Sequence, residues 1–143
     1  LKAPSTSIQS LTALACGFHE SDDSADPDRL AEWIHEDAEM SLAMTHFELV
    51  RGKRAIMDAL YRERESVIYS ARVERHEWLD ETTLLVRGQV RYAVAERGVT
   101  QATIWWIDEF RDGLLWRVRA FKEENAARAA HADASKSAGN GRG

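Results

Sequence analysis

A single cysteine in 143 residues, Cys16, excludes two classes at once: no intramolecular disulfide can form and no Cys-based zinc site can be built. Cys16 lies in the apolar stretch LTALACGF, so it reads as a buried packing residue rather than a nucleophile. No apolar run approaches the ~20 residues of a membrane span. The N-terminal LKAPSTS also lacks the apolar centre of a secretory signal, so the cytoplasm is the expected location. Basic runs are missing too. With 19 Lys+Arg against 24 Asp+Glu, a net charge of −5 and a pI near 5.5, neither nucleic acid nor a membrane is expected as a partner. There is no Gly-rich phosphate loop, no P-loop and no G-x-S-x-G elbow. No His/Asp/Glu spacing makes a metal site, and the acidic stretch ESDDSAD misses the EF-hand pattern, so no cofactor or metal is implied.

The length is that of one domain, large enough to bury a core without staples. Thr6-Ser7-Ile8-Gln9 fits a capping box, and Leu11, Leu14, Ala15 and Phe18 follow at helical spacing, which predicts a helix over roughly 7–20. Asp26-Pro27 opens a second helix carrying Leu30, Trp33 and Ile34, and Asp37 is expected as a structural cap. AEMSLAM and HFELV read as short strands, and GKRAIMDALYRERES as a third helix. From Val67 the period is two, with four long strands in an antiparallel meander. KEENAARAAHADA is expected to add a helical turn. Residues 1–130 would thus form the domain, and 131–143 a disordered tail. The fold class is α+β, with about three N-terminal helices on one face of a curved sheet.

The stretch TIWWIDEFRDGLLWRVRAF holds three of the five tryptophans beside a dense set of charges. A three-residue loop Arg111-Asp112-Gly113 segregates those charges. It would place Ile104, Trp106, Asp108, Phe110, Leu114, Trp116, Val118 and Ala120 on an inward face. Trp105, Ile107, Glu109, Leu115, Arg117, Arg119 and Phe121 would then lie outward. A two-residue Asp-Gly turn would pair Trp106 with Arg119 instead. The outward set resembles a subunit interface, aromatic and Arg-rich. Its alternative role is packing against the C-terminal segment. Strand 67–79 has no clear face, because Arg72, Glu74 and His76 alternate with Ala71, Val73 and Arg75.

Three stretches together resemble a known family: DPDRLAEWIHEDAEM, VRGKRAIMDAL, and WIDEFRDGLLWRVRAF with its Asp-Gly turn. In order and spacing they are similar to the nuclear-transport-factor-two-like superfamily, the cone of SnoaL-like polyketide cyclases and ketosteroid isomerase, over about residues 8–128. The resemblance implies a cone with an apolar pocket, commonly dimeric. It does not carry the known chemistries with it. The positions of the ketosteroid isomerase base, tyrosine and protonated acid fall near Leu42, near Leu14 and at Trp106. Those of scytalone dehydratase fall near Tyr69 or Ser70, at Gly88 and near His19.

The candidate proton-handling pair is Asp108, the one acid of the inward hairpin face, and His19, which ends the first helix. Desolvation between Trp106 and Trp116 would suit Asp108 to general acid–base work. Its plainer role is an ion pair at the sheet's open end. For His19 the plainer role is a cation complementing the helix dipole. Trp33, Leu42, His46, Tyr92, Trp106 and Trp116 are the candidate lining for a small hydrophobic molecule, with ordinary core as the alternative for the aromatics. Three functions follow: an isomerase, cyclase or dehydratase without metal, a ligand-binding module without chemistry, or a homodimeric interaction domain using Trp105, Ile107, Arg117 and Arg119.

Overall fold

A computed structural model describes residues 7–20, 27–41, 48–94 and 98–140. Helix α1 is Ile8–His19, α2 Pro27–Ala31, α3 Lys53–Ser66 and α4 Glu124–Asn140; the strands are β1 Ile34–Ser41, β2 Leu49–Arg51, β3 Val67–Trp78, β4 Thr83–Val94, β5 Gly98–Arg111 and β6 Leu114–Phe121. The six strands form one mixed sheet in the order β2-β1-β6-β5-β4-β3. β1 runs parallel to β6, and the other neighbours are antiparallel. The chain is therefore α+β, with the expected long meander β3 to β6.

Local chemistry sets the ends of the helices. The α1 cap is Ser7, one residue later than the expected Thr6, which lies outside the described residues; Ser7 Oγ accepts from the Ser10 N–H at 3.1 Å. Pro27 opens α2 as expected, but the helix stops at Ala31 and Ile34 already belongs to β1. The cause is long-range: the Leu115 N–H donates to the Trp33 carbonyl at 2.8 Å, starting the parallel pairing of β1 with β6. No local signal can announce that partner. Asp37 is inside β1 rather than at a cap.

The closing hairpin turns at two residues, not three. Asp112 and Gly113 both have positive φ, 56° and 77°, the signature of a type I′ turn, and Arg111 pairs with Leu114. The charges are nonetheless segregated, because a bulge follows. The register passes from Phe110↔Leu115 to Glu109↔Arg117, leaving Trp116 as the extra residue, and Trp106 pairs with Ala120 rather than Arg119. Leu115, expected outward, is buried in the inner core, whereas Trp116, expected inward, stands outside between Arg111 and Arg117, whose guanidinium carbons lie 3.7 and 4.6 Å from its ring. Gly113→Ala should cost about 1–2 kcal/mol, the penalty of a Cβ in the left-handed region. A urea melt of the variant checks this.

A second bulge explains why strand 67–79 resisted assignment. Val73 pairs with Gly88 and Arg75 with Arg87, so Glu74 is extra and the alternation changes phase there. Tyr69, Ala71 and Val73 pack on the inner core, and Trp78 rejoins it beyond the bulge. The inner face packs under α1, α2 and α3 through Ala15, Phe18, Leu30 and Ile56 against Met40, Val86, Ile104, Trp106 and Val118.

The outer face carries α4, longer than the single turn expected from the sequence. Ala127 packs with Leu85, Trp105 and Ile107, with Leu79 and Phe121 alongside. Arg128 ties α4 to β3 by donating to both Glu77 carboxylate oxygens, at 2.9 and 3.1 Å, and His131 meets Asp80 at 2.8 Å. The Arg128 hydrogen bonds hold the Glu77 carboxyl below its usual range. Burial pushes the Asp80 carboxyl up, but hydrogen bonds from His131, the Thr82 N–H and Thr83 outweigh it and hold that carboxyl down as well. Depressed folded-state values mean that this stabilisation is complete above the unfolded-state carboxyl values and disappears as pH falls through the lower folded ones. Hydrogen exchange should therefore show α4 loosening before the sheet when pH drops below about 4.

Candidate functional site

His19 and Asp108 are 89 residues apart and meet in the buried layer between α1 and the inner face of the sheet. His19 Nε2 lies 2.6 Å from Asp108 Oδ2. The carboxylate is 0% and the imidazole 3% exposed. Asp108 is therefore buried and paired with a histidine rather than with a surface arginine or water, while His19 occupies the last turn of α1. Asp108 faces inward because it alternates with Trp106 and Phe110 on β5, all three buried in the core layer.

α1 carries His19 to this point, and its end is fixed by the β3 bulge. The Val73 N–H donates to Glu20 Oε2 at 3.1 Å, one residue beyond His19. Further back, Trp78 Nε1 donates to Thr12 Oγ1 at 3.0 Å. Around the imidazole the surroundings are aromatic. Trp106 stacks on it with ring centroids 4.1 Å apart and 21° between planes, and Phe18 meets it edge-on at 5.7 Å. Trp106 in turn lies across Gly88 on the neighbouring strand. A Cβ built there would be 2.9 Å from Trp106 Cζ3 and 2.8 Å from the Arg72 carbonyl oxygen.

One atom of the pair is unsatisfied. Asp108 Oδ1 is buried and accepts no hydrogen bond among the described residues. A buried acceptor without a donor costs about 1–3 kcal/mol. It lies beside Oδ2, which is paired with His19.

Cys16, three residues before His19 on α1, is half-buried rather than buried. Burial pushes its thiol up, and the Glu20 and Asp108 carboxylates push it further. Both effects favour the thiol over the thiolate at neutral pH. Among the described residues no three His, Cys, Asp or Glu side chains converge on a point that could hold a metal ion.

The other candidate positions separate. Trp106 is next to the pair. Trp33 packs against α1, its ring 3.5 Å from where a Gly17 Cβ would be. Tyr92 is half-buried against the core opposite Tyr69. Trp116 is on the other face, carried there by the β6 bulge. Leu42 and His46 lie outside the described residues. Gly88 and Phe18 belong to the site but carry no chemical signal in the sequence. Only the spacing of Phe18, adjacent to His19, hints at its role.

The outer face also differs from its expected form. Trp105 is 8% and Ile107 0% exposed, and both are covered from α4's side, as the packing alternative had it. What is left uncovered is polar. Arg117 pairs with Glu39 and Glu109 at 3.4 and 3.6 Å, and Arg119 with Glu109 at 3.5 Å. Arg117 Nε, Arg119 Nε and Nη2, and Glu109 Oε2 are buried yet none has hydrogen-bond geometry. Burial pulls the Arg119 guanidinium down, and Arg117 beside it adds to this against the pull of Glu109. A groove of about 640 Å³ borders this face, lined by Trp105, Leu85, Arg75, Arg87, Arg128 and three β3 side chains. Two of its arginines are already taken up by carboxylates, Arg87 by Glu74 and Arg128 by Glu77 and Glu124.

No helix among the described residues is long and apolar enough to cross a membrane. No family model matches the sequence, and no curated protein matches it significantly. Solved structures do match. An LEH-like epoxide hydrolase from M. tuberculosis superposes with a TM-score of 0.64 at 17% identity, covering 79% of this chain and 81% of that one. SalBIII, an epoxide hydrolase/cyclase-like enzyme of pyran ring formation in polyether salinomycin, gives 0.66 at 11% identity, covering 82% and 93%. An NTF2-like protein from Anabaena variabilis gives 0.65 at 14% identity, covering 87% and 95%. At such identities the likeness concerns architecture, and on that ground the chain has the nuclear-transport-factor-two-like fold.

Proposed function

We propose that the protein is an acid–base enzyme of the isomerase, cyclase or dehydratase kind, acting without metal on a small hydrophobic, cyclic molecule in the cytoplasm. The observation that carries this reading is the fully buried His19–Asp108 pair with its unpartnered Oδ1. With the carboxylate ionised, the Nε2–H of His19 donates to Oδ2 and orients the group. Oδ1 then takes a proton from the substrate, and Asp108 becomes neutral. The same proton returns to another substrate atom in an isomerisation, or leaves with a hydroxyl as water in a dehydration. Among the described residues, Trp33, Tyr92 and Trp106 would line the substrate. The architectural likeness to an epoxide hydrolase and a cyclase-like enzyme makes such chemistry a reasonable use of this fold, although one fold hosts many activities. The test is a thermal-shift screen of cyclic ketones, alcohols and epoxides, followed by turnover of each hit with the wild type and Asp108→Asn. Binding without turnover by the wild type would reject the enzyme.

A module without chemistry is favoured by one specific feature. Trp106 occupies the space that Gly88 leaves open, so side chains fill part of the interior. Under that reading Asp108→Asn leaves ligand affinity nearly unchanged.

We also infer a homodimer through the outer face of the sheet. Trp105 and Ile107 are covered from α4's side, so Arg117 and Arg119 with Glu39 and Glu109 would be its contacts. The Arg117 and Arg119 side chains stay partly exposed, so their accessible ends would meet acceptors of a second copy. Light scattering at micromolar concentration should give twice the chain mass, and Arg119→Glu should halve it. A wild-type monomer rejects the dimer.

A further inference from the structure

We infer that Trp106 is a positioning residue: its flat indole face sets the plane of the His19 imidazole and so keeps Nε2 directed at Asp108. This rests on the proposed role of the His19–Asp108 pair, but concerns its geometry rather than its chemistry.

The backbone cannot do this work. Glu20 and the β3 bulge fix where the end of α1 lies, but the second torsion of a histidine is broad and has no sharp staggered wells. A single hydrogen bond to Oδ2 fixes a distance while leaving the ring free to tilt about it. The stack at 4.1 Å and 21° removes that freedom. Trp106 and Asp108 are two residues apart on β5 and point to the same side, so one rigid strand supplies both the ring's acceptor and the surface on which the ring rests. Phe18 meets the imidazole only edge-on, at 76°, and cannot define its plane.

The indole itself is held by the absence of a side chain. It leans over Gly88, whose strand pairs with β5 so that Val86 is opposite Trp106 and Gly88 opposite Ile104. Any Cβ at position 88 would press on Cζ3 at 2.9 Å. The glycine, the indole, the imidazole and the carboxylate form one contiguous stack across β4, β5 and α1.

The experiment is proton NMR of the full chain with labelled histidine, read for the His19 ring N–H line. A ring N–H donating to a buried carboxylate is shifted far downfield and exchanges slowly. The wild type should show this line, and Asp108→Asn, whose neutral amide oxygen is the weaker acceptor, should move it upfield. Trp106→Met, which fills space without a flat face, should broaden the line beyond detection. Trp106→Phe, which restores a face, should keep it. A folded Met variant that retains the line overturns the inference, and so does a folded Phe variant that loses it. If the Met variant does not fold, the Phe variant still decides. The line is independent of catalysis. Should no substrate ever turn over while the lines behave as stated, the enzyme reading fails and the positioning role stands. Should Asp108→Asn abolish turnover while Trp106→Met keeps the line, the reverse holds.

Discussion

Asp108→Asn should lower turnover by about 10²–10⁴-fold, the usual contribution of a positioned acid or base, while leaving the fold intact. Asparagine keeps the shape of the side chain and can still present an oxygen toward His19, but it cannot accept a proton at the reacting position. The stability loss should be about 1.5–3 kcal/mol, the range for a hydrogen bond involving a charged group. Asp108→Ala is the more drastic change. It strands His19 at 3% exposure without its partner and should cost about 3–5 kcal/mol, as for other buried pairs broken from one side. The contrast is diagnostic. If Asn and Ala lose activity equally but only Ala unfolds early in urea, the carboxylate is chemical. If activity follows stability through both variants, the pair is structural.

Gly88→Ala should destabilise the protein, although alanine is normally the better strand residue by about 0.5–1 kcal/mol. The new methyl would be 2.8 Å from the Arg72 carbonyl oxygen and 2.9 Å from Trp106 Cζ3. The first is backbone, brought close beside the β3 bulge, and yields only if the strand moves. Overpacking of this kind costs about 1–3 kcal/mol, which lowers the Tm by several degrees in a chain of this size. Combining Gly88→Ala with Trp106→Phe removes the ring contact but not the carbonyl contact. The double-mutant cycle should therefore show partial recovery, with a coupling of about 0.5–3 kcal/mol as for other contacting pairs. Full additivity would mean that the indole and the glycine do not interact.

Much of the architecture was legible before any coordinates. The capped helix at the N-terminus and the period-two strands from Val67 are local signals, written in residues close along the chain, whereas the closing hairpin was located but expected with a loop one residue too long. Asp108 and His19 could be picked out for the same reason: one acid among apolar neighbours and one histidine at a helix end are visible one at a time. Their contact was not visible, since it depends on α1 crossing a strand 89 positions later. The bulges were equally hidden. An extra residue at Glu74 or Trp116 reverses every face beyond it, and nothing in the alternation of polar and apolar residues marks where the phase will change. That is why Trp116 and Leu115 exchanged faces and why strand 67–79 could not be oriented.

The sequence by itself determined the class, much of the order of elements and the small set of titratable residues proposed for the site. Tertiary structure decided the rest: which of them meet, which oxygen is left without a donor, and which hydrophobic groups α4 covers. The physical reason is a difference in range. Helix caps, turns and hydrophobic period depend on residues a few positions apart. Strand register and the burial of a charged pair are properties of segments brought together only when the whole sheet has formed.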